Sequence, residues 1–276
     1  MVIKKYKMKL RFLFIAFIFS LSCTAQELYS ATEPASNIAS GAIGFRLNNS
    51  IMDERYSSKI NYHFIPEVMI GISRKLMVSE NVFFSNRNKV FRAEGGSLYM
   101  KYRFLSDDAL QKHFRMAVFG RISYNNSDIH QEEIDMKGHN TGTEVGLVAT
   151  QLLRRIALSS GISFLKAVDN GNNNKFVYGF KESKAINYTF SVGKLILPKV
   201  YNNYRQTNIN FMVEFLNQVN VGSGKYYVDI APTVQMIFNS QSRVDIGYRK
   251  ELSSTLLRTA PNGFFIRLEH IFFNAF

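Results

Sequence analysis

The sequence predicts an all-β chain, a transmembrane antiparallel up-and-down β-barrel of about twelve strands. Three observations point there. Runs of about ten residues alternate apolar and polar side chains along most of the chain, which is the length a tilted strand needs to cross hydrocarbon. The connections between these runs alternate between tight and long. The chain also opens on a secretion signal and stops on an aromatic residue, Phe276, at the end of a period-2 run.

At the N-terminus, Lys4, Lys5, Lys7, Lys9 and Arg11 form a basic region, and Phe12 to Phe19 form an apolar stretch too short to span a bilayer as a helix. Cys23-Thr24-Ala25 supplies small residues for cleavage ahead of Gln26. A lipoprotein signal acylated at Cys23 is the rival reading; it would place Leu21 at −2, where such signals usually have their aliphatic residue at −3. Residues 1–25 are thus expected to be a signal peptide, 26–41 a periplasmic lead-in containing Pro34, and 42–276 the barrel.

Cleavage after Ala25 changes the electrostatics. It removes five of the 34 basic residues and no acidic one, so the balance becomes 29 − 21 = +8 instead of +13. The basic character is partly a targeting feature, which argues against nucleic acid as a partner. The only cysteine leaves with the signal, and disulfide or thiol chemistry leaves with it.

Strands are expected near 42–51, 66–74, 76–86, 95–105, 112–124, 140–151, 154–166, 184–196, 206–218, 225–238, 241–251 and 262–276. In the first, Ile43, Phe45 and Leu47 oppose Gly44, Arg46 and Asn48. In the fourth, Leu98, Met100, Tyr102 and Phe104 oppose Tyr99, Lys101 and Arg103. The third places Glu80 among the apolar positions Val78, Val82 and Phe84. With the N-terminus periplasmic, the even-numbered connections, such as Arg74–Leu76, Leu152–Arg154 and Asn239–Gln241, are mostly tight. The long polar ones, 125–139 and 167–183, fall on the outer side; the second contains Asn170-Gly171-Asn172-Asn173-Asn174. Tight turns on one side and long loops on the other fit a membrane barrel better than a soluble sandwich.

Hydrocarbon offers no partner to backbone polar groups, so the strands must close, with the apolar register toward lipid and the polar register toward the lumen. The expected lumen-facing residues are Arg46, Glu67, Lys101, Arg103, Arg115, Arg121, Glu144, Glu214, Asp229, Asp245, Arg249, Glu251, Arg267 and Glu269. Seven are basic and seven acidic. Charge-selective pores usually show a surplus of one sign at the constriction, so a balanced set points to cross-lumen ion pairs that partly fill the bore. The remaining positive charge then falls largely in outer loops, at Lys59, Arg87, Lys89, Arg92, Lys137, Lys175 and Lys181, where lipopolysaccharide phosphates are a possible partner beside plain solvation.

Chemical sites are sparse. None of His63, His113, His130, His139 and His270 pairs with Cys or Glu at metal-ligand spacing, and no cofactor or metal is expected. His130 and His139 share a loop with Glu132, Glu133, Asp135 and Met136, which reads as a solvated acidic loop before it reads as a cation site. His270 falls in the lipid-facing register, with Ser160 on a distant strand and no Gly-x-Ser-x-Gly elbow; a hydrogen bond to a neighbour, or a bulge, is the simpler account, and no catalytic residue is assigned.

The Thr24-Ala25-Gln26 cut site and the terminal Phe276 carry a resemblance. Over residues 1–276 the chain resembles bacterial outer-membrane β-barrel proteins of an uncharacterised Gram-negative group, with Asn274 and His270 departing from the usual terminal strand. The resemblance implies an outer-membrane location, with Phe276, Phe272 and Leu268 as a signal to the barrel-assembly machinery. It brings no substrate. The expected function is a passive or gated pore for small solutes. The alternatives are a closed structural or interaction barrel that binds lipid or a partner through its loops, and a lipid-modifying enzyme of that membrane. Oligomeric state is left open.

Overall fold

In the computed structural model, the described residues are 29–55, 59–87, 90–109, 112–170, 172, 174, 183–200 and 205–276. The signal peptide, and Lys89, Lys175, Lys181, Gly171 and Asn173, lie outside them. The chain forms twelve antiparallel strands, each paired with its sequence neighbours, and β1 pairs with β12 to close the barrel. The strands are β1 Ile43–Asp53, β2 Ile60–Gly71, β3 Leu76–Ser85, β4 Arg92–Ala109, β5 Lys112–Asn125, β6 Gly142–Leu153, β7 Ile156–Ala167, β8 Lys184–Leu197, β9 Asn208–Asn220, β10 Tyr226–Phe238, β11 Ser242–Ser254 and β12 Asn262–Phe272. No helix among the described residues is long and apolar enough to cross a membrane.

Closure satisfies every strand edge, and alternation sorts the side chains. Leu98, Met100, Ile122, Val145, Ile162 and Phe264 are each more than half exposed on the outer wall. Their sequence neighbours Ser97, Tyr99, Arg121, Ser123, Glu144 and Ser163 are buried inside. An apolar exterior around a polar, buried interior is the reverse of a soluble barrel and matches lipid as the outer solvent. Glu80 is exposed on the outer side of β3, in register with Val68 and Leu98. One rim carries tight turns such as 154–155 and 239–241; the other carries the long connection 126–141.

Three expectations are corrected. β2 begins at Ile60 rather than 66, because Pro66 sits inside the strand instead of opening it. Proline has no N–H to donate, and the β2–β3 ladder lacks pairs at Ile65 and Pro66 while β1 keeps full register across them. At the other end β12 stops at Phe272 rather than running to Phe276. Asn274 takes a left-handed φ of 54°, which turns the chain so that the Ala275 N–H donates to the Gly41 carbonyl at 2.8 Å. Phe272 and Phe276 remain exposed, as does Leu268.

The third correction concerns the lead-in. Residues 29–41 do not trail into solvent below the barrel; they lie inside it. Tyr29 is buried against Leu152, Ala157, Met212 and Ile237 at the short-turn end. The segment then rises to Glu33 and returns to Gly41, whose N–H donates to the Gly71 carbonyl. Small side chains make this passage possible: Ala35 packs on Ala117 and Val148, and a Cβ on Gly71 would meet the Ala39 carbonyl at 2.0 Å.

Candidate functional site

The lumen holds two inserts, and each is bound by side chains that strand alternation turns inward. The first is the N-terminal segment. Glu214 on β9 accepts five hydrogen bonds from it: Oε1 from the Ser30 N–H, the Ser30 hydroxyl and the Ala31 N–H, and Oε2 from the Thr32 N–H and hydroxyl, all at 2.7–2.9 Å. A buried carboxylate is costly to leave unpaired, and here backbone and hydroxyl donors take the place of a cation. Lys101 on β4 donates to the carbonyls of Pro34 and Ser36, both at 2.7 Å, and the Ala35 N–H donates to the Thr150 hydroxyl at 3.0 Å.

Beside this segment lies a network of alternating charge. Arg46 reaches Glu33 at 3.1 Å, Glu67 at 3.0 Å and Glu269 at 2.7 Å. Arg243 joins Glu269 at 2.7 Å and Asp245 at 3.5 Å. Arg267 pairs with Asp245 at 2.8 Å and donates to the Tyr29 carbonyl. Burial alone would raise the Glu33 carboxyl, but Arg46 first, then Lys101, Lys137 and Arg267, hold it well below the usual carboxylate range.

The second insert is the loop 126–141 between β5 and β6, which folds back into the barrel from the long-loop rim. The amide of Gln218 grips it as a strand would, accepting from the Ile134 N–H at 2.9 Å and donating to the Ile134 carbonyl at 2.8 Å. Ile134 and Met136 bury their side chains with Leu165, Ala167 and Ala185 on the inner wall. Glu132 and Glu133 are buried, which corrects the expectation of a solvated acidic loop. Glu132 binds Lys225 at 2.5 Å. Glu133 binds Arg258 at 2.7 Å and Arg249 at 3.1 Å. Burial would push the Glu133 carboxyl up, but Arg258 and Arg249 outweigh it and hold it at about 2. Asp135, opposed by burial but hydrogen-bonded by His139 at 3.1 Å, is also held low. Glu132 and Glu133 are committed to cations, and no three-residue metal cluster exists among the described residues.

Arg258, in the loop between β11 and β12, completes this upper network. Its guanidinium is buried, lies 4.0 Å over the Tyr227 ring, and binds Asp229 at 2.8 Å and Glu251 at 3.1 Å in addition to Glu133. Arg249 shares Asp229 at 2.6 Å. A planar, permanently charged fork is suited to such a shared position.

Between the two inserts is a chamber of about 340 Å³. Its charged lining is balanced. Arg46, Arg121, Lys137, Arg249 and Arg267 face it with Glu33, Glu67, Glu133, Asp135 and Glu144, together with many asparagine, serine and threonine side chains. On the β4–β6 wall, Arg121 lies 3.4 Å from Glu144, donates to the Ser97 hydroxyl at 3.1 Å and covers the Tyr99 ring at 4.7 Å.

The fourteen expected lumen residues distribute as follows. Arg46, Glu67, Asp245, Arg267 and Glu269 gather in the lower network. Asp229, Arg249 and Glu251 gather in the upper one. Arg121 and Glu144 pair on the wall, and Glu214 and Lys101 hold the N-terminal segment. Arg115 reaches Asp108 at 3.1 Å and the Ser36 hydroxyl. Arg103 lies at the short-turn rim, donating to the Arg74 carbonyl at 2.7 Å. Lys137, expected in an outer loop, has its ammonium inside the lumen, donating to the Ala31 carbonyl at 3.4 Å. Glu33, Glu133 and Arg258 are among the participants that alternation does not reveal, since none is on a strand. On the outer wall, His270 shares a 2.7 Å hydrogen bond with Ser242 across β11–β12 and packs edge-on against Phe272, which accounts for its place in that register.

No protein-family model matches the sequence, and no curated protein matches it. Among solved structures the chain is similar to an outer membrane channel from Pseudomonas putida F1, at 10% identity and a TM-score of 0.59, over 89% of this chain and 100% of that one. It is also similar to the NanC porin, at 10% identity and a TM-score of 0.49, over 84% of this chain and 98% of that one. At 10% identity the likeness to the Pseudomonas putida channel is one of fold alone, a closed β-barrel.

Proposed function

We propose that this outer-membrane-type barrel is a gated pore for small solutes, with the short-turn rim in the periplasm and the long-loop rim outside. The observation that carries this reading is the polar chamber between two inserts. A barrel that served only as a scaffold has no need of a 340 Å³ polar space at its centre. Both inserts are held mainly by side chains, with a backbone bond from the Glu132 N–H to the Leu257 carbonyl in the upper one, and neither belongs to the strand ladders of the wall, so each can leave without breaking it. The fold shared with the Pseudomonas putida channel supports the same reading.

A second reading, a closed barrel that presents its loops to a partner or to lipid, is favoured by how firmly Glu214 and Gln218 hold the inserts. In the outer membrane, Arg92 at the long-loop rim would then meet lipopolysaccharide phosphates. Planar-bilayer recording separates the two. Discrete conductance steps from purified, folded protein support the pore, and persistent silence across voltage and pH favours the closed barrel.

A further inference from the structure

The short-turn rim is strongly basic along one side. Lys112 on β5 pairs with Leu153 on β6, Leu153 with Ile156 on β7, and Ile156 with Lys194 on β8. Paired residues of antiparallel strands point to the same face, and Leu153 and Ile156 are exposed on the outer wall. Lys112 and Lys194 therefore point outward as well, at the rim ends of registers that carry Phe114 on β5 and Phe190 on β8. The turn between β6 and β7 sets Arg154 and Arg155 between these two lysines. The Arg155 guanidinium donates to the Lys199 carbonyl in the connection after β8, which places a fifth basic residue beside the group.

Five cations along one arc repel one another unless opposite charge comes from somewhere. The protein supplies little of it. Residues 112–116, 150–160 and 192–200, which form this side of the rim, contain no aspartate or glutamate. No ion pair among the described residues includes any of the five. On the adjoining β4, Asp108 is taken by His113 at 2.9 Å and Arg115 at 3.1 Å, and Asp107, in register with Phe114, can offset a single charge. Directly against these cations lies the apolar outer wall, with Leu153, Ile156, Ile196 and Leu197 exposed. A ligand with an anionic head and hydrocarbon tails satisfies both surfaces at once, since basic side chains beside a membrane attract anionic lipids.

We infer that this side of the short-turn rim binds the headgroup of an anionic phospholipid, with the phosphate on Arg154 and Arg155, flanked by Lys112 and Lys194, and the acyl chains on the wall at Leu153 and Ile156. The assignment rests on the orientation given above, with this rim toward the periplasm, and not on conduction.

The test places the folded barrel in phosphatidylcholine vesicles with a trace of spin-labelled phosphatidylglycerol or spin-labelled phosphatidylcholine, and measures the motionally restricted fraction of each label. Wild type is expected to retain phosphatidylglycerol about threefold over phosphatidylcholine at low salt, and less selectively at high salt. Arg154→Gln/Arg155→Gln is expected to bring the two lipids within about 1.5-fold of each other. Arg155 also holds the Lys199 carbonyl, so Lys112→Gln/Lys194→Gln provides a second variant, expected to lower the selectivity about twofold. Arg74→Gln/Lys75→Gln removes two charges from the β2–β3 turn of the same rim and is expected to change nothing. Equal retention of the two lipids by wild type overturns the site. An equal loss of selectivity in Arg74→Gln/Lys75→Gln also overturns it, because the effect would then belong to the charge of the whole rim. Displacement of the bound label by added lipopolysaccharide overturns the choice of phospholipid. Selective retention beside a silent planar bilayer keeps the site and overturns only the pore.

Discussion

Lys137 and Ala31 join the two inserts. The Lys137 ammonium, on the loop that starts at the long-loop rim, donates to the Ala31 carbonyl on the segment that fills the opposite half of the lumen, at 3.4 Å. Movement of one insert is therefore felt by the other inside the chamber. The bond is long and the side chain exposed, so its worth is about 0.5–1 kcal/mol. Lys137→Ala is expected to raise the frequency of single-channel transitions two- to fivefold without changing the fully open conductance.

Removing the lower insert should have the larger effect. Deletion of residues 29–40 leaves every strand pair intact, because the barrel's backbone bonds run between neighbouring strands. Conductance of the deleted barrel is expected to exceed wild type severalfold, measured in the same bilayers at the same salt.

Glu214 is the main anchor of that insert. Glu214→Ala removes an acceptor of five hydrogen bonds and leaves the Ser30, Ala31 and Thr32 donors facing a void. A local loss of about 3 kcal/mol follows from charge-assisted bonds of this kind. Hydrogen exchange of residues 29–36 should accelerate on the order of a hundredfold, with β9 and β10 unchanged.

Arg258 plays the same part above. Arg258→Met leaves Glu133, Asp229 and Glu251 with Arg249 and Arg55 as their remaining cationic partners among the described residues, and breaking a buried charge network from one side costs about 3–5 kcal/mol. Loop 126–141 should undock, seen as proteolysis after Lys137 in folded protein. Arg258→Lys keeps the charge but loses the fork, so an intermediate rate is expected.

Acid should release the same loop. The Glu133 carboxyl is depressed from 4.5 to about 2, so its contribution is fully present above pH 4.5, fades as pH falls, and is gone below about 2. The shift corresponds to on the order of 3 kcal/mol. Loop protection measured by proteolysis with pepsin should persist near pH 4 and fall as pH approaches 2. In Glu133→Gln that dependence should weaken and shift to lower pH, leaving the part that the depressed Asp135 carboxyl contributes.

Architecture was legible in the sequence because alternation is a local property. The apolar positions Leu98, Met100 and Ile122 and their inward neighbours Tyr99, Lys101 and Arg121 sort themselves by period 2 alone. The occupancy of the lumen was not legible, because it depends on segments with no period. Ser30, Thr32 and Glu33 read as a lead-in since nothing local says that Glu214, some 180 residues away, accepts their donors. Glu132, Glu133 and Asp135 read as solvated acid because the arginines that bury Glu133 lie on β11 and in the loop after it. The small residues of 30–41, including Ala31, Ala35, Ala39 and Gly41, were the one local signal, since only small side chains allow a chain to pass through a crowded bore. The start of β2 was set too late, at 66, because the residues before it show no clean alternation; the intact ladder to β1 runs back to Ile60 and carries Pro66 without its N–H.

Gly41 has a left-handed φ of 74° and is bonded on both sides, its N–H to Gly71 and its carbonyl to Ala275. Everything before it can detach while this point stays fixed to the wall. The twelve residues 29–40, fully extended at about 3.3 Å each, form a leash of about 40 Å. A freed segment would thus search a hemisphere of that radius beneath the short-turn rim, and would stay close enough to its own socket to recapture it without diffusion from bulk.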